Sequence, residues 1–273
     1  MEIRRVLAIY WSPTGGTRRV AETLAEAAAI QLGALWETVD ITFPRGREQE
    51  YAITENDLIF LGIPTYAGKT PNKLLPYLQS GFHGNGALAV PVVTFGNRGY
   101  DNSLAELCAV LEADGFHTAA GAAFVCRHAF TDELAYGRPG WSDLYEAGQF
   151  AKRVAAKVQG LTEVPPPISV PGDAAAPYYI PKGTDGQPAK FLKAKPKTDL
   201  TKCHGCGACA RVCPMGAIDP GDITNVPGTC IKCQACVRKC TRGAKYFDDE
   251  AFLSHVAMLE QTFTEPKENE VFL

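Results

Sequence analysis

Between residues 203 and 244 the chain reads CHGCGACARVCPMGA and then, 27 positions on, CIKCQACVRKCTRGA. No other feature limits the fold as tightly. Eight of the 10 cysteines fall in these two runs, each of the form C-x2-C-x2-C-x3-C. Ala208, Arg211, Gly216 and Ala217 recur as Ala235, Arg238, Gly243 and Ala244. Two copies of one unit predict a pseudo-twofold domain built around two equivalent sites. Three thiolates at x2 spacing wrap one iron–sulfur cubane, each reaching a different iron, and the fourth serves the other cube. The first cluster then takes Cys203, Cys206, Cys209 and Cys240, and the second takes Cys230, Cys233, Cys236 and Cys213. Structural zinc also uses four cysteines, but as two pairs across a long gap rather than this repeated run. Gly205, Gly207 and Gly216 suit a loop whose amides approach sulfide closely. His204 is read as solvated.

A chain of 273 residues has room for one medium domain plus a small one. At 46% hydrophobic and 21% charged it has the composition of a globular protein, and a net charge of -3 favours neither nucleic acid nor an anionic membrane. No apolar run reaches about 18 residues, so no membrane insertion is expected. The opening MEIRRVLAIYW lacks a small-residue cleavage site and reads as a first strand. Clustered thiols without a signal segment fit a reducing cytoplasm. Cys108 and Cys126 stand apart and read as buried thiols.

Upstream of the cysteines, apolar strands alternate with amphipathic helices. Strands are predicted at 3–11, 34–41, 58–63, 87–95 and 118–126, with a bulge or a strand start at Pro91. Helices are predicted at 17–32, from the Thr70-Pro71 cap to about 81, from Asn102 to 114, and over 142–159. This alternation implies an α/β fold: a doubly wound, five-stranded parallel sheet of flavodoxin-like order 2-1-3-4-5, with ligands at the carboxyl ends of its strands. Residues 160–200 are proline-rich and then basic, and read as a linker wrapped over the surface. Residues 250–263 have the spacing of a closing helix, and the segment beyond reads as loose. The expected domains are 1–160, a linker at 161–198, a small α+β cysteine domain at 199–250, and a C-terminal helix and tail at 251–273.

Three loops fall at one edge of that sheet. Ser12-Pro13-Thr14-Gly15-Gly16-Thr17 joins hydroxyls, glycines and a helix start, which makes an anion-binding nest. It lacks the lysine of a nucleoside-triphosphate loop and the glycine spacing of a dinucleotide fingerprint, so a terminal monophosphate fits. Pro64-Thr65-Tyr66-Ala67-Gly68 follows the third strand. Thr94, Gly96, Asn97, Arg98 and Tyr100 follow the fourth. Together these offer aromatic faces and backbone amides to a flat heterocycle.

Here the chain resembles a known family. The S-x-T-G-x-T loop is similar to the phosphate loop of flavodoxins. GIPTYAGKTP, TFGNRGYD and HAFTDELAYGRP, with the twin cysteine runs, resemble the flavodoxin–ferredoxin fusion proteins of anaerobes. Thr241 departs from the proline usual in the second run. The resemblance implies FMN, its phosphate held by Ser12, Thr14, Gly15, Gly16 and Thr17 and its ring by residues 64–68 and 96–100, beside a two-[4Fe-4S] ferredoxin domain. Flavodoxins often set acidic side chains near the flavin. Arg98 and Lys69 stand in these loops instead, so a less negative flavin potential is expected. Lys202, Arg211, Lys232, Arg238, Lys239, Arg242 and Lys245 surround the cysteines, as cations that raise the cluster potentials, as a docking face, or as scattered surface charge.

The implied function is electron transfer between FMN, two clusters and external redox proteins, a donor and an acceptor. A substrate reductase with His128 as proton donor is the alternative, and a redox sensor the third reading. The flavin and the clusters would meet within one chain or across a homodimer.

Overall fold

The structure is a computed structural model that describes residues 2–273; Met1, the first residue of the expected 1–160 domain, lies outside them. Strands β1 (Arg5–Tyr10), β2 (Leu35–Asp40), β3 (Asp57–Pro64) and β4 (Leu88–Phe95) are followed by a fifth in two pieces, β5 (His117–Thr118) and β6 (Gly121–Val125). They lie in the order β2-β1-β3-β4-β6 and are mutually parallel. This is the predicted 2-1-3-4-5 order of the flavodoxin-like fold. Side chains alternate across a strand, so one sheet feeds two cores. Val6, Ala8 and Tyr10 face helices α1 (Gly16–Leu32) and α4 (Trp141–Gln159), while Leu7 and Ile9 face α3 (Ser103–Ala113). With both faces covered, the central strands are apolar throughout.

Three expectations are corrected. The helix predicted from Thr70-Pro71 to about 81 is a single turn, α2 (Leu75–Leu78). Pro76 has no N–H for the carbonyl of Asn72, so a helix cannot run on from Pro71. The bulge expected at Pro91 lies in the neighbouring strand. Leu88 and Ala89 face His117 and Thr118, but Val92 faces Ala122, so the fifth strand carries one extra residue across Pro91. That proline has no N–H to give on this side, and the break between β5 and β6 sits against it. The segment beyond 263, read as loose, instead ends in β9 (Glu270–Phe272), antiparallel to β6. It covers the edge that β6 would otherwise leave open.

Residues 160–200 are mostly irregular but firmly docked. The Ile168 N–H donates to the Thr118 carbonyl at 3.2 Å and the Tyr179 N–H to that of Ala67 at 2.8 Å. Tyr178 Oη donates to the Thr70 carbonyl at 2.7 Å. The cysteine region that follows is small. It has a two-stranded pair, β7 (Lys197–Thr198) with β8 (Lys245–Tyr246), and two single helical turns, α5 (Ala208–Arg211) and α6 (Ala235–Arg238). Helix α7 (Glu250–Thr262) closes it, with the Asp249 carboxylate accepting from the Phe252 N–H at 2.9 Å. Among the described residues no helix is long and apolar enough to cross a membrane.

Candidate functional site

The loop after β1 turns into α1 through Gly15, whose φ of 96° lies in the left-handed region that favours glycine. The first N–H groups of a helix have no acceptor within it. Ser12 Oγ takes that of Arg18 at 2.9 Å, and those of Gly16 and Thr17 stand open at the head of the helix dipole. Pro13, Thr14, Gly15, Gly16 and Thr17 line a cleft of about 1590 Å3, larger than the roughly 300–1,000 Å3 of ordinary ligand sites. Ser12 does not line it; its N–H donates to Thr42 Oγ1 at 2.9 Å, so it braces the loop. Thr17 Oγ1 hydrogen-bonds Thr94 Oγ1 at 2.7 Å, tying this loop to the end of β4. Cys126 closes the floor, where a Cβ added to Gly16 would lie 3.1 Å from its sulfur. Burial pushes the thiols of Cys108 and Cys126 up to about 12, so both stay protonated.

The second loop makes a tight turn. The Tyr66 N–H donates to the Lys69 carbonyl at 2.8 Å, and Ala67 and Gly68 both have positive φ, 49° and 76°. A Cβ on Gly68 would meet Asp101 Oδ2 at 2.2 Å. Pro64, Thr65, Tyr66, Ala67 and Gly68 all line the cleft. Lys69 does not. Its ammonium forms a buried ion pair with Glu106 at 2.9 Å and donates to the carbonyls of Ala174 and Ala176 at 2.8 and 2.7 Å. It therefore anchors the proline-rich segment, and the expectation that it charges the flavin loops is corrected.

The third loop divides. Thr94, Gly96 and Arg98 line the cleft. Arg98 pairs with Asp101 at 2.5 Å and lies 4.3 Å from the Tyr179 ring. Asn97 and Tyr100, both expected at the ring, are outside the cleft lining. Asn97 Nδ2 donates to the carbonyls of Phe263 and Glu265, and its Oδ1 accepts from the Lys267 N–H at 3.0 Å. Tyr100 Oη donates to Glu270 at 2.7 Å. Both hold the C-terminal segment. His128 does line the cleft, and its Nδ1 accepts from the Phe130 N–H at 3.2 Å. Burial, helped by the charges of His255, Arg98 and Arg238, lowers its pKa to about 4.

The cysteine repeats keep their twofold relation in the backbone. Gly205, Gly207 and Gly216 have positive φ, and so do Lys232, Gln234 and Gly243 at the matching positions. In the first copy the N–H groups of Gly205 and Ala217 donate to Cys203 and Cys213 Sγ at 3.5 and 3.2 Å. In the second those of Lys232 and Ala244 donate to Cys230 and Cys240 Sγ at 3.5 and 3.3 Å. Amides aimed at sulfur are what cluster thiolates need, so the donor set fits. Cys213, Cys230, Cys233 and Cys236 line one small cavity, which places Cys213, the expected cross-repeat ligand, beside the other three. Burial pushes Cys236 up to about 12 and Cys233 higher still. At Cys240 burial also acts upward, but backbone N–H groups led by that of Ala244 outweigh it and lower the pKa.

The two halves meet over the second set. Cys230, Ile231, Lys232, Gln234 and Arg238 line the same cleft as the loop after β1. The Tyr66 ring stands edge-on to Trp11 at 5.6 Å, and its hydroxyl pKa is raised by burial and then by Cys233 and Cys230. Of the first set Cys206 is exposed and Cys203 and Cys240 are half-buried, while Cys209 is buried. Two arginines clamp the junction in opposite directions. Arg238 donates to the carbonyls of Ala129, His128 and Thr131 at 3.1, 3.0 and 2.9 Å and pairs with Asp132. Arg47 donates to the Pro214 carbonyl at 2.7 Å. The clamp role of Arg238 escaped sequence reading, because its copy Arg211 bonds only to its own loop, at the Cys206 carbonyl. The backbone of Lys232 and Gln234 was legible, since both align with glycines.

The family of 4Fe-4S binding domains matches residues 196–219, a stretch that includes the first cysteine run and not the second. No curated protein matches the chain. A flavodoxin from the domain Archaea aligns over 57% of this chain and 99% of its own, at 15% identity and a TM-score of 0.39. A flavodoxin of Streptococcus pneumoniae TIGR4 aligns over 56% and 99%, at 17% and 0.39. The rubredoxin oxygen:oxidoreductase of the anaerobe Desulfovibrio gigas aligns over 59% and 38%, at 18% and 0.43. At such values these likenesses say nothing of what this chain binds.

Proposed function

We propose that the chain is an electron-transfer protein that holds FMN at its strand ends and two [4Fe-4S] clusters in its cysteine repeats, and relays electrons between them and external redox proteins. The observation that carries this reading is the single cleft running from the phosphate loop, past Tyr66 and Arg98, to Cys230 and Arg238. When bound, FMN supplies one- or two-electron chemistry and each cluster one-electron chemistry. Thr14 to Thr17 would bind the phosphate through backbone N–H groups and hydroxyls. Residues 64–68, with Gly96 and Arg98, would flank the ring, and Tyr66 would exclude water on the side of Cys230 and Cys233. The outward loop around Cys206 leaves a face for a protein partner. The division into 1–160, 161–198, 199–250 and 251–273 belongs to this reading, as do both ligand sets. Because Arg238 and Arg47 clamp the halves of one chain, the cleft and the second cysteine set adjoin without a second copy.

One observation favours the reductase alternative: His128 lines the open cleft. Against it, a histidine with a pKa of about 4 is uncharged near neutral pH and is a poor proton donor there.

Anaerobically purified protein is expected to carry about eight irons, eight sulfides and one FMN per chain. Zinc in place of iron, or reconstituted protein that refuses FMN, overturns the proposal. In stopped-flow mixing, a rate of internal reduction independent of protein concentration supports the one-chain route, and a rate proportional to concentration assigns it to pairs of chains.

A further inference from the structure

The two cysteine repeats differ at the residue after Ala217 and Ala244. The first copy has Ile218, 4% exposed and packed in the small core with Cys209 and Val226. The second has Lys245, 2% exposed. A lysine has replaced the apolar residue that the repeat pattern would put there. Its Nζ donates to Thr198 Oγ1 at 2.7 Å and to the Ile223 carbonyl at 2.5 Å, both neutral groups. An ammonium has three donors, so one is left over. Among the described residues no carboxylate lies within 4.0 Å of Nζ. Asp222, next to Ile223 in the chain, is exposed to solvent. A buried cation without a counter-charge is strongly unfavourable, so an anion missing from this inventory is called for.

Two are at hand. The residue whose carbonyl holds the Lys245 ammonium, Ile223, packs against the small core that contains Cys209, from the first ligand set, and Cys236, from the second. Its neighbour Ala244 donates an N–H to Cys240 Sγ at 3.3 Å, which belongs to the first set. We propose that Lys245 is a fixed cation between the two cluster sites, the counter-charge both clusters share, and that it raises both their potentials. This rests on the reading that the repeats hold clusters. A cubane held by four thiolates is a net anion, and each electron added makes it more negative. A nearby cation therefore stabilises the reduced form more than the oxidised one. Ile218 gives the other side no such charge, so the pseudo-twofold domain is electrically one-sided.

The experiment compares wild type, K245M and K245R as full chains, with iron and sulfide quantified first. Dithionite then delivers one electron to each cluster in a potentiometric titration followed by electron paramagnetic resonance. K245M with wild-type iron content is expected to show about tenfold less reduced cluster at a given solution potential, a negative shift of about 59 mV for a one-electron couple. K245R is expected to stay near wild type. Fully loaded K245M with unchanged potentials overturns the inference and leaves the relay intact, whereas wild type without iron removes the reading beneath it. Should K245M fail to load, loading by K245R alone supports the cation, and failure of both variants assigns Lys245 to packing and overturns the proposal.

Discussion

Lys69 and Arg98 look alike in the sequence, as cations in flavin loops, but differ in what surrounds them. Lys69 is held by Glu106 and two carbonyls, so Lys69→Met leaves a buried carboxylate unpaired. We expect a loss of about 3 kcal/mol in urea unfolding, the range for breaking a buried pair, with little change in flavin potential. Arg98 lines the cleft, and Arg98→Ala leaves Asp101 unpaired, so there the flavin potential falls. A flavin redox titration of both variants checks the contrast, and an equal shift in the two defeats it. His128 brings a pH dependence. Its folded pKa lies near 4 and the ordinary value is 6.5, so the unfolded chain binds the extra proton between those limits. Stability therefore falls as pH drops through that window. The urea midpoint of His128→Gln is expected to fall less than wild type between pH 7 and 4. Asn97 and Tyr100 mark the limit of residue-level reading. Their loop was recognisable, but their partners lie 166 to 170 residues away, and no local pattern carries such a pairing.

Elements were legible where local pattern and tertiary packing agree. The central strands follow from short runs that are apolar throughout, and α1, α3, α4 and α7 from period-3.6 apolar spacing, since each buries what its pattern implies; the edge strand β2 forms although Leu35 and Trp36 stay exposed. The failures came where one residue overruled the pattern or where the partner was remote. Pro76 cut the helix after Thr70. Pro91 sent its irregularity into the next strand. β9 is three residues long, too short for the apolar Val271-Phe272-Leu273 to announce a strand, and exists because β6 offers an open edge. Deleting 264–273 is expected to weaken FMN binding, although none of those residues lines the cleft, because Asn97 and Tyr100 lose their anchors. Titration of FMN into the flavin-free truncated protein measures this, and wild-type affinity there would contradict it.

For the molecule as a whole, the repeat points to the two proposed ligand sets, but not to which one meets the flavodoxin-like sheet. That asymmetry follows from the arginine clamps. Arg238 reaches three carbonyls of the loop after β6, while Arg211 turns back on its own loop. Arg238→Ala is expected to keep its iron and flavin and to slow internal reduction by about tenfold or more, with Arg238→Lys intermediate because an ammonium cannot fork across several carbonyls. An unchanged rate in stopped-flow would remove the clamp from the electron path.

The strand at Glu270–Phe272 also sets an order of manufacture. A ribosome releases both cysteine runs before the residues that close the far edge of the sheet and fix Asn97. The face proposed for the flavin is therefore finished only after both cysteine repeats have been translated. A nascent chain paused before residue 264 bares an unpaired sheet edge to chaperones and to its neighbours.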